Sequence, residues 1–250
     1  MKKMDRTYHF KTTAVSTNTE LKEQIYGTAA PVFDVLCADM QLGGRGRQGR
    51  AFFSPPGGFY FSAAFPLAGN ETNVPFLTLL AGLAVSDALL KTCGAQTQIK
   101  WPNELYLHGK KLCGILTELV SVGEKMTAVV GVGLNARLQA EEIPPDLRET
   151  MTSLSAEGFT PPDRGAFVRT VVETLDEEVY EKGALSVINE TYAAKINERS
   201  YLKDKSVEVR SGGRLLRGRA AGITPGGALR LLTQDGEVCA VSGEIARVWA

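Results

Sequence analysis

The chain has 250 residues, 44% of them hydrophobic, and its 28 Lys+Arg balance 28 Asp+Glu. That is enough chain for one sizeable core with room for a small second module, and the even charge gives no global argument for nucleic acid or a membrane surface as partner. Cys37, Cys93, Cys113 and Cys239 are far apart and form no CxxC pair, which opposes a zinc site or a disulfide framework and favours reduced thiols in a cytoplasm.

Lys2, Lys3 and Arg6 make the start basic, but polar residues follow instead of an apolar run, so no secretory signal is evident. Thr17-x-x-Glu20 has the spacing of a capping box, and Gly27 can end the helix it would start. Val32 to Met40 and Gly58 to Phe65 read as strands. Leu77, Leu80, Ala81, Ala84, Val85, Ala88 and Leu89 recur at helical spacing, in a stretch from Pro75 to Leu90 too short to span a bilayer. Leu112 to Val122 and Ala128 to Asn135 read as paired strands, with Ser121 to Lys125 as the turn. Val168, Val171, Val172, Leu175 and Val179 mark a helix ended by Gly183, and Leu185, Ile188, Tyr192 and Ile196 share the face of another. From Val207 onward short apolar runs alternate with turn signals at Ser211-Gly212-Gly213, Thr224-Pro225-Gly226-Gly227 and Asp235-Gly236, the pattern of a small all-β module. The mixed strands and helices before it predict an α/β or α+β domain.

The most informative segment is Gly43-Gly44-Arg45-Gly46-Arg47-Gln48-Gly49-Arg50. It contains GxGxxG, but Phe52-Phe53-Ser54-Pro55-Pro56-Gly57-Gly58 follows, where a dinucleotide fingerprint needs a helix. A P-loop ending is absent, and so are the protein-kinase signatures. What remains is a flexible loop with three arginines and no acidic residue from Met40 to Asn70. Glycine lets backbone N–H groups approach an anion, and guanidinium groups grip phosphate or carboxylate in bidentate fashion.

Three further segments fit the same chemistry. Lys100-Trp101-Pro102-Asn103-Glu104 would present an amide and a carboxylate side by side on a proline turn, for ribose or phosphate-bound magnesium. Lys110-Lys111 opens an apolar strand whose Gly114 would let a flat ligand lie on the backbone. Gly131-Val132-Gly133-Leu134-Asn135 leaves one strand face bare. Each alone reads as well as ordinary structure: a turn over a buried Trp101, surface lysines beside a core strand, close packing against a helix. Ser16, Thr17 and Asn18 alone read as a helix cap, and Gln41 as a loop amide.

Together, in this order, Ser16-Thr17-Asn18, Gln41 with the arginine loop, Lys100 to Glu104, Lys111 to Glu118, Gly131 to Asn135 and Ser242-Gly243-Glu244-Ile245 resemble the biotin–protein ligases, from about Thr13 to Trp249. The resemblance implies an α+β fold: a catalytic domain over 1–200, with a central mixed β-sheet and flanking helices akin to class II synthetases, and a small SH3-like β-barrel over 201–250. It implies ATP-dependent activation of biotin to biotinyl-5′-AMP, then transfer to a lysine of a biotin carboxyl carrier domain of a biotin-dependent carboxylase. Ser16, Thr17, Asn18 and Gln41 would line the ureido end of biotin. Arg45, Gly46 and Arg47 would close over biotin and its carboxylate, beside Lys111 and Gly114. Arg47, Arg50, Phe52, Asn103, Glu104, Lys111 and Asn135 would form the nucleotide side. Lys111, Arg45 and Arg47 would be catalytic, and Glu104 would bind Mg²⁺. Glu104 departs from the family's usual Asp, and Phe52 from its tryptophan. The match starts within twenty residues of Met1, which leaves no room for the helix-turn-helix of the family's repressors and implies no DNA or membrane partner; a homodimer through the central sheet stays open. Two rivals stand beside this reading: a lipoate or octanoate ligase or transferase of the same fold, and a non-catalytic biotin sensor.

Overall fold

The computed structural model describes residues 5–27, 34–69, 71, 73–186 and 190–249. Lys2, Lys3, Val32 and Ile188 lie outside the described residues.

Seven strands build the main sheet: β1 (Tyr8–Ala14), β2 (Val35–Gln41), β3 (Phe59–Leu67), β4 (Gln98–Lys100), β5 (Glu104–Leu107), β6 (Lys110–Val122) and β7 (Lys125–Leu134). Their order is β1-β2-β3-β7-β6-β5-β4. β1 and β2 are parallel and the other neighbours antiparallel, so the sheet is mixed. Side chains alternate across a strand, and the core divides accordingly. Leu36, Ala64, Val129 and Val120 face α1 (Thr17–Gly27) through Leu21 and Ile25. Cys37, Phe61, Val130 and Ile115 face the opposite side, where α2 (Phe76–Cys93) and α3 (Arg164–Asp176) pack.

α2 runs on to Cys93, and Gly94 in the left-handed region (φ 73°) returns its N–H to Leu90 and stops it. By length and composition it could cross a membrane, but most of it is buried under the sheet. Burial of each Leu or Phe there contributes about 1.5–3 kcal/mol, which makes it the main core helix. α3 continues through a wider turn at Glu177–Glu181, and α4 (Glu190–Glu198) follows. Leu185 is buried ahead of α4 rather than on its face.

The first helix corrects the sequence reading. Its cap is Ser16, whose hydroxyl faces the Thr19 N–H at 3.5 Å, while Glu20 accepts from the Val15 N–H at 2.7 Å. Thr17 is thereby released from capping.

The last strands, β8 (Ser206–Ser211), β9 (Arg214–Ile223), β10 (Leu229–Thr233), β11 (Gly236–Ala240) and β12 (Glu244–Trp249), form one antiparallel sheet in the order β11-β10-β9-β8-β12. The predicted mixed sheet with flanking helices and a carboxy-terminal all-β module is the fold. The three turn signals fall between consecutive strands of that module. A continuous apolar core joins Phe76 and Trp101 to Val207, Ile223 and Leu229, and the Trp101 indole donates to the Gly227 carbonyl at 2.9 Å.

Candidate active site

A cleft of about 630 Å³ opens on the α1 side of the main sheet, and each residue to which the resemblance gave a binding or catalytic role lines it. That volume suits a small ligand.

One end is polar and closely bonded. Thr17, no longer needed as a cap, gives its N–H (2.9 Å) and hydroxyl (3.2 Å) to Gln41 Oε1. Asn18 donates to the Leu116 carbonyl (3.2 Å) and to Glu118 (2.9 Å), and Lys22 neutralises Glu118 at 2.6 Å. Burial raises the Glu118 pKa, but Lys22 and Asn18 outweigh it and hold the carboxylate below its usual range. Ser62 is fully buried and its hydroxyl reaches both Thr17 Oγ1 (2.7 Å) and Asn18 Oδ1 (2.5 Å). Ser62 stands opposite Gly131 across β3 and β7, and the missing side chain leaves the space that Asn18 fills.

The bare strand face carries a second occupant. Gly114 and Gly133 are cross-strand partners, and the Phe52 ring lies against both: a Cβ at Gly133 would meet it at 2.5 Å and one at Gly114 at 2.9 Å. The expected seat for a flat ligand on Gly114 is therefore taken by Phe52 in this structure, with Lys111 Nζ 5.4 Å above the ring centroid.

The arginine segment is a narrow hairpin rather than a loose loop. Arg45 bridges Ala51, the Gly46 N–H meets the Arg50 carbonyl at 2.7 Å, and Gln48 and Gly49 turn the chain with positive φ. Arg47 donates to the Gly243 carbonyl at 2.8 Å, and Arg50 pairs with Glu244. Half-burial lowers the Arg47 pKa, an effect that Glu244 partly offsets, and the guanidinium remains charged. The bond to Arg50 holds the Glu244 carboxyl below its usual range.

Asn103 and Glu104 do not sit side by side as expected. Asn103 spends its amide on the Ile115 carbonyl (2.8 Å) and pins the turn to β6. Glu104 turns toward two ammonium groups, Lys111 at 2.6 Å and Lys100 at 3.5 Å. Burial alone would raise its pKa, but Lys111 and Lys100 prevail and lower it. The Glu104 carboxylate is thus spent on two lysines, and among the described residues no three His, Cys, Asp or Glu side chains cluster as metal ligands. Asn135 is buried, with its amide on the Thr152 carbonyl (2.9 Å) and its Oδ1 without a partner.

Sequence reasoning missed Ser62 and, within the motifs it noted, gave no role to Lys100 or Glu118. The signal for Ser62 was its place as the lone serine within the apolar run Phe59 to Phe65. Glu244 lay in a noted motif without an assigned role.

Comparison with known proteins places this geometry among relatives. Residues 10–135 match the Biotin/lipoate A/B protein ligase family, and residues 204–248 match the Biotin protein ligase C terminal domain. The chain is 29% identical to the bifunctional ligase/repressor BirA of Bacillus spizizenii, over 89% of its own length and 68% of that protein. It is 33% identical to the biotin–[acetyl-CoA-carboxylase] ligase of Mycobacterium tuberculosis, over 66% of its own length and 60% of that relative. A biotin protein ligase from Aquifex aeolicus, solved in complex with biotin and ATP, superposes with a TM-score of 0.79 at 29% identity, covering 96% of this chain and 97% of that one.

Proposed function

Because this chain belongs to the biotin/lipoate A/B protein ligase family, we propose that it joins biotin to ATP as biotinyl-5′-AMP and then to a lysine of a carrier domain from a biotin-dependent carboxylase. The observation that carries the reading is the union, in one cleft, of a hydrogen-bonding end around Thr17, Asn18 and Gln41 with a cationic end at Arg45, Arg47 and Lys111. A cyclic urea offers one carbonyl and two N–H groups, which suits the first end, and two anionic reactants suit the second.

In the first step a biotin carboxylate oxygen forms a bond to the α-phosphorus of ATP, and the bond to the bridging oxygen breaks to release pyrophosphate. Both partners are negative, so cations fixed in place beforehand lower the barrier. Lys111 is held in position by Glu104 and faces the cleft. Arg45 and Arg47 close the cleft over the acyl end, while Arg50 is steered by Glu244. Asn103, Glu104 and Phe52 line the nucleotide side. The Oδ1 of Asn135 suits the amino group of adenine, because a buried acceptor without a donor is costly. In the second step the neutral amine of the acceptor lysine attacks the acyl carbon, the bond to AMP breaks, and the amine proton passes to solvent. The donor set around Glu104 gives no reason to route either step through a protein-held magnesium.

The domain division at residues 200 and 201 goes with this reading, the first part holding the reactants and the second supplying Gly243 and Glu244. The test is transfer of labelled biotin to a biotin carboxyl carrier domain with ATP, run beside lipoate and its carrier. Biotin transfer without lipoate transfer is expected. Lipoate transfer alone would overturn the substrate, and tight biotin binding with no transfer would favour a sensor.

A further inference from the structure

Ser62 is fully buried behind the polar end of the cleft, and the hydrogen bonds around it run in one direction only. The direction is set from outside. Glu118 is paired with Lys22 at 2.6 Å and kept ionised, so its carboxylate accepts and never donates. The Leu116 carbonyl likewise only accepts. Asn18 lies against both, at 2.9 and 3.2 Å, so it turns its NH₂ to them and its Oδ1 to Ser62. An amide oxygen carries no proton, so the 2.5 Å bond between them uses the proton of Ser62. A serine hydroxyl has no second one. The 2.7 Å contact between Ser62 and Thr17 Oγ1 therefore takes the proton of Thr17. Gln41 Oε1 is also within reach of that proton, but at 3.2 Å, and the shorter contact claims it.

Gln41 is oriented from its own far side. The Ser54 hydroxyl donates to the Phe52 carbonyl at 2.9 Å, so it accepts from Gln41 Nε2 at 3.0 Å. Gln41 Oε1 is thereby left on the Thr17 side, where it holds the Thr17 N–H at 2.9 Å. Thr17 Oγ1 and Gln41 Oε1 thus stand 3.2 Å apart on the cleft wall, with lone pairs and no proton between them. Two acceptors so placed form a seat for an N–H group.

We propose that Ser62 is a positioning residue for the ureido group: by taking the Thr17 proton it makes Thr17 Oγ1 an acceptor, so that Thr17 and Gln41 together read one ureido N–H and reject a ring atom without a proton. The inference rests on the assignment of the polar end made under Proposed function. Ser62 touches no reactant and acts through Thr17. Without it, the Thr17 hydroxyl is free to turn its proton to Gln41 or into the cleft, and the seat no longer distinguishes a donor from an acceptor. A site built around a ligand N–H rejects an analogue that lacks it far more strongly than a site of the right shape alone.

The experiment is calorimetric titration of the full chain with biotin and with its two cyclic carbamates, in each of which an oxygen replaces one ureido N–H. In the wild type one of the two carbamates should bind about 100-fold more weakly than biotin, because its ring oxygen meets two lone pairs. In Ser62→Ala that ratio should shrink to about tenfold or less. Thr17→Val should shrink it as well, and adding Ser62→Ala to Thr17→Val should change it no further, as expected of a residue that acts through Thr17. A serine that served packing alone would, when removed, weaken biotin and both carbamates alike and leave the ratio where it was. Ser62→Cys, with similar volume and a weak donor, provides a second low-ratio variant should the alanine chain fold poorly. A wild type that binds biotin and both carbamates equally, or Ser62 variants that keep the wild-type ratio, overturns the proposal while leaving biotin in the cleft. A wild type that binds no biotin removes the assignment of the polar end, and the role of Ser62 with it.

Discussion

Replacing Gly131 with alanine tests whether glycine is there to make room for Asn18. The added carbon would lie 2.8 Å from Asn18 Cγ and 3.1 Å from its Nδ2. Asn18 cannot simply swing aside: it is 5% exposed, donates at 3.2 Å to Leu116 and 2.9 Å to Glu118, and takes the Ser62 hydroxyl at 2.5 Å. Overpacking a tight site costs about 1–3 kcal/mol and each hydrogen bond lost about 1 kcal/mol, so a destabilisation of about 2–4 kcal/mol is expected. For a chain of this size the Tm should fall by about 5–15 °C. The displaced amide should also weaken the polar end, raising the biotin KM about tenfold in biotin-dependent pyrophosphate exchange. Gly27→Ala is the control, since nothing lies within 4 Å of the carbon it would add. A Gly131→Ala protein with the parent's Tm and biotin KM would refute the claim that this glycine exists for Asn18.

Lys111→Ala should slow biotin-dependent pyrophosphate exchange by about 100-fold or more, because it removes a fixed cation facing the reacting anions; near-normal exchange would contradict that role. Arg47→Ala loses the bond to Gly243, and the adenylate should escape sooner in a filter-binding assay; unchanged retention would remove Arg47 from the closure. Glu104→Gln should flatten the acid limb of stability. The folded carboxyl pKa lies below its ordinary 4.5, so its contribution is complete above that pH and is lost as pH falls through the lowered value. The Tm gap between wild type and Glu104→Gln should accordingly hold from about pH 7 to 5 and narrow below about 4.5; a gap that widens toward acid would reverse the assignment.

Much of this arrangement is legible before folding, and the reason differs by element. α2 and the β6–β7 hairpin announce themselves because long apolar runs admit few alternatives. The glycines of β6 and β7 are visible as missing side chains, but what fills the gaps is not, because Asn18 and Phe52 arrive from distant segments. β1 went unread: it mixes Tyr8, His9, Lys11 and Thr12 at a sheet edge, and its parallel partner is found only through tertiary packing. Thr17 was mistaken for a cap because Ser16, one residue earlier, offers the same chemistry. Glu104 was read beside Asn103 since neighbours in sequence invite pairing, whereas β4 and β6 bring Lys100 and Lys111 to it. Ser62 stands out in its apolar run, but what its hydroxyl bonds is set by the cross-strand register that places it opposite Gly131.

The indole of Trp101 reaches across to Gly227, and β12 delivers Glu244 and Ile245 to the cleft wall. During synthesis the first two hundred residues thus emerge with an open seam along α2 and β4. Until β12 has followed, the cleft lacks the wall that Glu244 and Ile245 supply.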